Sequence, residues 1–281
     1  MELDMAGLAA LYATLDAGVA TALAGLQLPS VRLRAPEACA SDAAVTRFGG
    51  VPLVGADFAW PRTEDGRPLC LVGQWHCDEV NTWVGAAVLP AGTLLAFFFD
   101  VDEQAGWGLA PQDARLWRVV AADAVTAAPA RVPDGAVTFP ARCMAGRRVL
   151  SMPDEWEPVI RAVWAKDTPA AWAYQRLQLD DGPGPVHRIF GWPDLQQGSM
   201  HLDCQLVSNG VDLMAMRGYG DDPRVPGLQA GAADWRLLWQ VDTDEDGLGW
   251  MWGDTGVLYF WIRSEDLAAG RFDRVWVILQ G

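Results

Sequence analysis

Two segments of this chain repeat the same order of residue types, and this repetition constrains the fold more than any single motif. Residues 69–79 read LCLVGQWHCDE, and residues 235–245 read WRLLWQVDTDE. Each is followed by a glycine that opens an apolar stretch, GTLLAFFFD at residue 92 and GVLYFWIRS at residue 256. The spacing from glutamine to glycine is 18 residues in the first segment and 16 in the second. The sequence therefore predicts a duplicated unit of strand, acidic turn, glycine turn and strand.

The pattern along the rest of the chain predicts an α+β fold. Residues at helical spacing predict a helix over about 5–25, and residues 152–155 predict a helix start in a helical connection over about 151–180. Neither repeat can cover its apolar face by itself, so we expect two mostly antiparallel β-sheet units sharing one core. They form a single domain, with pseudo-repeats over about 45–140 and 186–281. The strands expected in the second unit are 235–242, 251–254, 257–263 and 274–280.

The net charge of −15, from 36 acidic and 21 basic residues, limits the classes of partner. An acidic surface repels polyanions, and nucleic-acid binding normally requires a basic stripe. The longest basic cluster is Arg147–Arg148. We therefore exclude DNA and RNA as general partners and favour a protein with a basic surface, or a cation.

The location predicted from the sequence is the cytoplasm. The apolar stretch near the start follows acidic residues and lacks the basic start of a secretory signal. No segment has about 20 consecutive apolar residues, so no membrane association is expected. The five cysteines are odd in number and match no zinc-binding spacing, which favours free thiols in a reducing compartment.

Several spaced motifs together resemble the YwqG-like family of bacterial proteins. The first half contains FGGVP, GQWHCDE and LPAGTLLAFFF, and the second contains HRIFGWPDLQQG, LLWQVDTDEDG and MWGDTGVLYFWI. The resemblance covers about residues 45–281. It implies a duplicated α+β fold in a domain of unknown function. Because some members occur beside toxin and immunity genes, it also implies an immunity or partner-binding role for those members.

The acidic segment after Val241 is the strongest candidate for chemistry. If the segment stays extended, Asp242, Asp244 and Asp246 point to one face. Carboxylate oxygens suit calcium or magnesium, so these three residues are a candidate metal site. The run begins like an EF-hand loop, but Gly253 stands where that loop needs its last glutamate. A solvated acidic turn and a docking surface for a basic partner are the alternatives.

Histidines and glutamines supply further candidates. His187 and His201 flank the FGWPDLQQG segment and could converge with the acidic turn, where a His–Asp pair could do acid–base work. Gln74 and Gln240 occupy matching positions in apolar strands, and a buried amide must be satisfied at both its oxygen and its nitrogen. We interpret them as ties between the two repeats, or as ligand-facing groups across a cleft.

Three functions are consistent with these residues. The first is a non-enzymatic cytosolic protein that binds a protein partner, such as a toxin, through acidic turns and exposed aromatic side chains. The second is a divalent-metal-dependent hydrolase that uses Asp242, Asp244 and Asp254. The third is a small-molecule binder with a pocket lined by some of the 15 tryptophans, Trp252 among them. The candidate binding residues are Gln74, His187, Gln240, Asp242, Asp244, Asp254 and Trp252.

Overall fold

The computed structural model describes residues 5–164, 168–178 and 184–281, which form an α+β fold of twelve strands and eight α-helices. The strand pairs of the described residues are all antiparallel. The strands are β1 Leu28–Ala38, β2 Arg47–Phe48, β3 Leu53–Val54, β4 Cys70–His76, β5 Thr93–Phe99, β6 Trp117–Asp123, β7 Ala128–Pro129, β8 Arg142–Ser151, β9 His187–Ile189, β10 Trp235–Asp242, β11 Val257–Arg263 and β12 Trp276–Gln280. The helices are α1 Met5–Tyr12, α2 Ala17–Ala24, α3 Cys77–Val84, α4 Pro158–Trp164, α5 Thr168–Gln178, α6 His201–Ser208, α7 Val225–Leu228 and α8 Ser264–Ala268.

Ten of the strands form one sheet in the order β12-β11-β10-β9-β1-β8-β2-β4-β5-β6. This order is symmetric about the central β1–β8 pair, because β2, β4, β5 and β6 lie on one side and β9, β10, β11 and β12 on the other. We call β1–β7 the first half and β8–β12 the second half. The first strand of each half lies beside the second strand of the other half, because β1 pairs with β9 and β8 pairs with β2. Common descent of the two halves stays a prediction.

The two halves also share local irregularities. The register shifts between Leu71 and Gly73 on β4, and between Leu237 and Trp239 on β10. After β2, Gly49 and Gly50 have φ of 57° and 80°, and the residue pair after β9, 190–191, has φ of 55° and 76°. These left-handed residues end β2 and β9 at matching places and turn the chain away from the sheet.

The sheet curls until its two edge strands, β6 and β12, approach each other, so that it is nearly closed into a barrel. The Trp117 ring lies 5.0 Å from the Trp276 ring, and its indole N–H donates to the Val275 carbonyl oxygen at 2.9 Å. The backbone N–H of Leu279 donates to the Trp107 carbonyl oxygen at 3.1 Å. The main hydrophobic cluster fills the curl and contains buried aromatic side chains from both halves.

Two predicted elements have a different form. The expected helix over 5–25 is two helices, because the Asp16 carboxylate accepts the N–H groups of Gly18 and Val19 and starts α2. The expected acidic turn of the first repeat is helix α3, in whose first turn acidic residues interact favourably with the helix dipole. The acidic residues of the second repeat lie in a hairpin loop, so the repeats differ at this point.

Some strands and the helical connection also differ from the sequence prediction. The predicted strand 251–254 is part of a loop, in which Gly253 and the following Thr255 have φ of 52° and 60°. The two central strands, β1 and β8, are not among the strands predicted from the sequence. The predicted helical connection contains α4 and α5, and its residues 165–167 and 179–180 lie outside the described residues.

Candidate functional site

The acidic hairpin of the second half is held by hydrogen bonds from its own surroundings. The Asp242 carboxylate accepts the backbone N–H of Val186 at 2.6 Å, and burial is the main cause of its raised pKa. The Asp244 carboxylate accepts the N–H of Gly247 at 2.8 Å. Its pKa is lowered, chiefly by the nearby His187 ring. The two carboxylates therefore stabilise the hairpin itself.

His187 does converge with the acidic hairpin, as the sequence predicts. Its Nδ1 accepts the backbone N–H of Asp242 at 3.1 Å, so the neutral ring carries its hydrogen on Nε2. Nε2 lies 3.7 Å from the Asp244 carboxylate, and the ring packs 4.8 Å from the Phe48 ring. Because this ring is buried, the contacts fasten the hairpin to β9.

The three aspartates proposed as metal ligands are not assembled into a site. Asp242 and Asp244 have the partners given above, while Asp246 and Asp254 are exposed. Throughout the described ranges, no group of three or more His, Cys, Asp or Glu side chains is arranged to hold a metal ion. The hydrolase hypothesis therefore gains no support from the geometry of these carboxylates.

Trp252 is a core residue. Its side chain is fully buried and packs edge-on against Phe99 with 5.9 Å between the ring centroids. Trp250 and Trp252 both donate their indole N–H to the carbonyl oxygen of Asp242, at 3.0 and 3.2 Å. These contacts explain why residues 251–254 do not form a strand, since the tryptophans turn into the barrel.

Gln240 belongs to a buried polar network. Its Oε1 accepts the backbone N–H of Asp194 at 2.9 Å, and its Nε2 donates to Val186 O and to the Asp194 carboxylate. Arg188 Nη2 donates to both Asp194 oxygens, at 2.9 and 2.7 Å. The network ties the segment after β9 to β10, within one half of the molecule.

Gln74 has part of this role in the first half, because only its oxygen is bonded and its buried Nε2 has no hydrogen-bond partner among the described residues. Its Oε1 accepts the backbone N–H of Leu53 at 2.7 Å. The buried Arg47 takes the place of Arg188, but it donates to the carbonyl oxygens of Ala43, Gly49 and Val51. Each glutamine therefore ties a loop to a strand of its own half, and the predicted tie between the repeats is wrong.

Two adjoining cavities lie beside the second half of the sheet. The larger has a volume of about 790 Å³ and lies between the α3–β5 connection and α8. The smaller has a volume of about 460 Å³ and lies between the starts of α4 and α6. Four residues line both cavities: Leu28, Gly191, Arg236 and Leu237. Cavities of this size and mainly apolar lining are typical of small-molecule sites.

Three polar side chains meet in the smaller cavity. Ser199 Oγ donates to Glu157 Oε2 at 2.7 Å, and His201 Nδ1 lies 3.4 Å from the same oxygen. His201 thus meets Glu157, not the acidic hairpin. A catalytic triad requires serine and acid to contact different ring nitrogens. Here Ser199 and Glu157 both approach Nδ1, so the ring does not relay a proton between them.

Sequence reasoning missed Glu157 and Ser199. Glu157 precedes Pro158 at a helix start, where an acidic residue is expected to interact with the helix dipole and solvent. Ser199 lies 42 residues further along the chain. No local pattern links the two, and only the packing of α4 against the segment before α6 brings them together.

An α+β protein built on one curled antiparallel sheet, with ligand-sized cavities beside it, is the class that the fold and the site define. The chain belongs to the family described as Domain of unknown function (DUF1963), which it matches over residues 46–281. Narrower membership in the YwqG-like proteins stays a prediction. No curated protein matches the chain. None of the described helices combines the length and apolar character needed to cross a membrane.

Proposed function

We propose that this protein binds a small organic molecule in the two adjoining cavities. The observation that carries the proposal is their size and lining: about 790 and 460 Å³, bordered mainly by apolar side chains, with a few polar groups in the smaller one. A pocket of this kind favours an apolar ligand and uses few polar contacts to orient it. Trp192 and Trp235 line the smaller cavity, in keeping with a tryptophan-lined pocket.

Partly filling the larger cavity should weaken binding of a neutral apolar probe. Nile red, titrated into the protein and followed by its fluorescence, should show saturable binding. Ala268 is exposed and lines the larger cavity. We expect Ala268→Trp to weaken dye binding at least about tenfold, because the indole ring takes the ligand's volume.

The matched control is Ala121→Trp, at an exposed position on β6 that lines neither cavity. This variant should bind the dye as the native protein does, within about twofold, a difference of less than 0.6 kcal/mol by the usual conversion. Far-UV circular dichroism would verify that both variants are folded. Non-saturable dye binding, or the same affinity in all three proteins, would contradict the proposal.

A second candidate function, binding of a basic protein such as a toxin, is favoured by one exposed surface. Trp107 and Met251 are 37% and 40% exposed. The Gln104 side chain bonds to both Met251 O and Gly253 N, at 2.9 and 2.7 Å, and so joins the two loops. Two exposed acidic residues adjoin these loops: Asp254, and Glu103, which lies 3.3 Å from the Arg67 guanidinium. This acidic–aromatic surface suits a cationic partner that also contributes apolar contacts.

We expect the binding of such a partner to depend on both the negative charge of Asp254 and the aromatic ring of Trp107. Affinity capture from lysate of the source cells should recover the same basic protein reproducibly with the native chain. Capture should fall with Asp254→Lys and with Trp107→Ala, and it should weaken at high salt because rim charges are screened. Val125→Ala, at a position 90% exposed, is the control. Equal capture by all the variants would exclude this surface.

A further inference from the structure

One carboxylate in the smaller cavity is only half satisfied. The Glu157 side chain is 1% exposed. Its Oε2 accepts the Ser199 hydroxyl at 2.7 Å, whereas Oε1 has no hydrogen-bond partner among the described residues. A buried carboxylate oxygen without a donor is costly. The residue also lines the cavity, so a ligand that brings a donor to Oε1 would remove this cost.

The charges near Glu157 make a cationic donor more favourable than a neutral one. Asp154 is partly buried, and its pKa is raised to about 6, mainly by burial and then by neighbouring carboxylates that include Glu157 and Asp194. Burial dominates this shift, but Glu155, Asp194 and Glu157 each raise the pKa further through their charge, so several carboxylates lie close together in this region. The His201 ring is the one titratable group in the described residues within ion-pair distance of Glu157.

The arginines of this region have other partners. Arg188 Nη2 donates to both oxygens of the Asp194 carboxylate. Arg236, which lines both cavities, donates to the carbonyl oxygens of Ala233 and Trp235 at 2.7 and 2.9 Å. The smaller cavity therefore presents a carboxylate that none of these guanidinium groups neutralises.

Aromatic rings complete the lining. Trp192 donates its indole N–H to Leu26 O at 2.7 Å, and Trp235 donates its own to Gln205 Oε1 at 3.0 Å. With these donors already bonded, the two side chains can offer a ligand only ring surface. The Arg263 guanidinium already lies over one face of Trp235, 5.0 Å from the ring centroid, so Trp192 and the other face of Trp235 provide this surface. Aromatic rings attract cations as well as apolar groups.

We propose that the smaller cavity binds the ammonium group of an apolar primary amine, which donates a hydrogen bond to Glu157 Oε1 while its alkyl or aryl body occupies the apolar part of the cavities. This inference rests on the proposed function, since it identifies the class of ligand for the same cavities. Ser199 and His201 hold the carboxylate in place from its other oxygen. The amine is bound without any change in its covalent structure.

Isothermal titration calorimetry at pH 7 with two matched probes tests the inference. Phenethylamine and 2-phenylethanol have similar shapes, and only the first is cationic. We expect the amine to bind roughly tenfold more tightly or better, as a hydrogen bond between charged groups exceeds a neutral one. In Glu157→Gln the amine should lose this advantage, while the alcohol should bind as before. Glu245→Gln, at an exposed position, is the control.

The outcomes separate this inference from the proposed function. If the alcohol binds the native protein as tightly as the amine, the ammonium site is wrong, and ligand binding in the cavities still stands. The inference is also overturned if Glu157→Gln keeps the preference for the amine. If neither compound binds and Nile red binding is not saturable, both proposals fall. If Glu157→Gln does not fold, the comparison of the amine with the alcohol in the native protein still tests the inference. Ser199→Ala should retain the preference for the amine, because it leaves the Glu157 carboxylate in place.

Discussion

Trp239→Ala is expected to lower the free energy of unfolding by about 3–5 kcal/mol, the usual cost of truncating a buried tryptophan. The Trp239 side chain is fully buried. It belongs to β10 in the second half, yet three of its ring contacts are in the first half: Phe48 at 5.6 Å, Trp75 at 5.5 Å and Phe97 at 4.9 Å. Its removal would leave a cavity where the two halves meet, and the rigid rings around it could not collapse to fill that space.

The position that corresponds to Trp239 in the first half shows how closely this region is packed. Gly73 follows the register shift of β4 as Trp239 follows that of β10. A Cβ atom at Gly73 would lie 2.8 Å from Cη2 of Trp239 and 2.7 Å from the carbonyl oxygen of Arg47. A side chain at residue 73 would therefore displace the tryptophan, so one half provides the ring and the other provides the space for it.

Chemical denaturation followed by far-UV circular dichroism measures this effect without relying on tryptophan fluorescence. Trp172→Ala is the matched control, because that side chain is 60% exposed. It should change the free energy of unfolding by no more than about 0.5 kcal/mol, as surface substitutions usually do. A loss below about 1 kcal/mol in Trp239→Ala would show that the contact between the halves contributes little to stability.

The outer strands of the sheet were predictable from the sequence, and the central ones were not. β5 and β11 are apolar along their length and are bounded by turn signals, so their positions follow from pattern. The central strand β1 alternates buried Val31 and Leu33 with the more accessible Arg32 and Arg34. This alternation of buried and accessible residues is the pattern that predicts a β-strand. Its arginines, however, gave β1 less apolar character than the strands that were identified.

The candidate site divides in the same way. The sequence predicted that His187 and His201, which flank the FGWPDLQQG segment, could converge with the acidic turn. His187 does so, whereas His201 meets Glu157. The Glu157 site depends on three segments that meet only in the folded chain: the start of α4, the residues before α6, and the end of β9. Hydrophobic periodicity carries no information about such a meeting, and Glu157 has the composition signal of an ordinary helix start.

Asp194→Ala should destabilise the protein by about 3–5 kcal/mol, because it leaves a buried guanidinium without its counter-charge. The Arg188 side chain is 1% exposed, and Nη2 donates to both Asp194 oxygens. Its Nε already has no hydrogen-bond partner among the described residues. Loss of the carboxylate would also remove one acceptor of Gln240 Nε2, which lies 2.8 Å from Asp194 Oδ2. Urea denaturation measures the loss, and Asp254→Ala, at an exposed aspartate, should be nearly neutral.

The double variant Arg188→Leu/Asp194→Leu separates the cost of an unpaired charge from the value of the pair. A buried ion pair replaced by apolar side chains of similar volume often costs little, whereas removal of one partner is severe. In the double variant Gln240 keeps Val186 O as an acceptor and the backbone N–H of residue 194 as a donor. We therefore expect the double variant to be more stable than Asp194→Ala. If it is equally or less stable, the ion pair itself supports the segment after β9, and the unpaired-charge explanation is wrong.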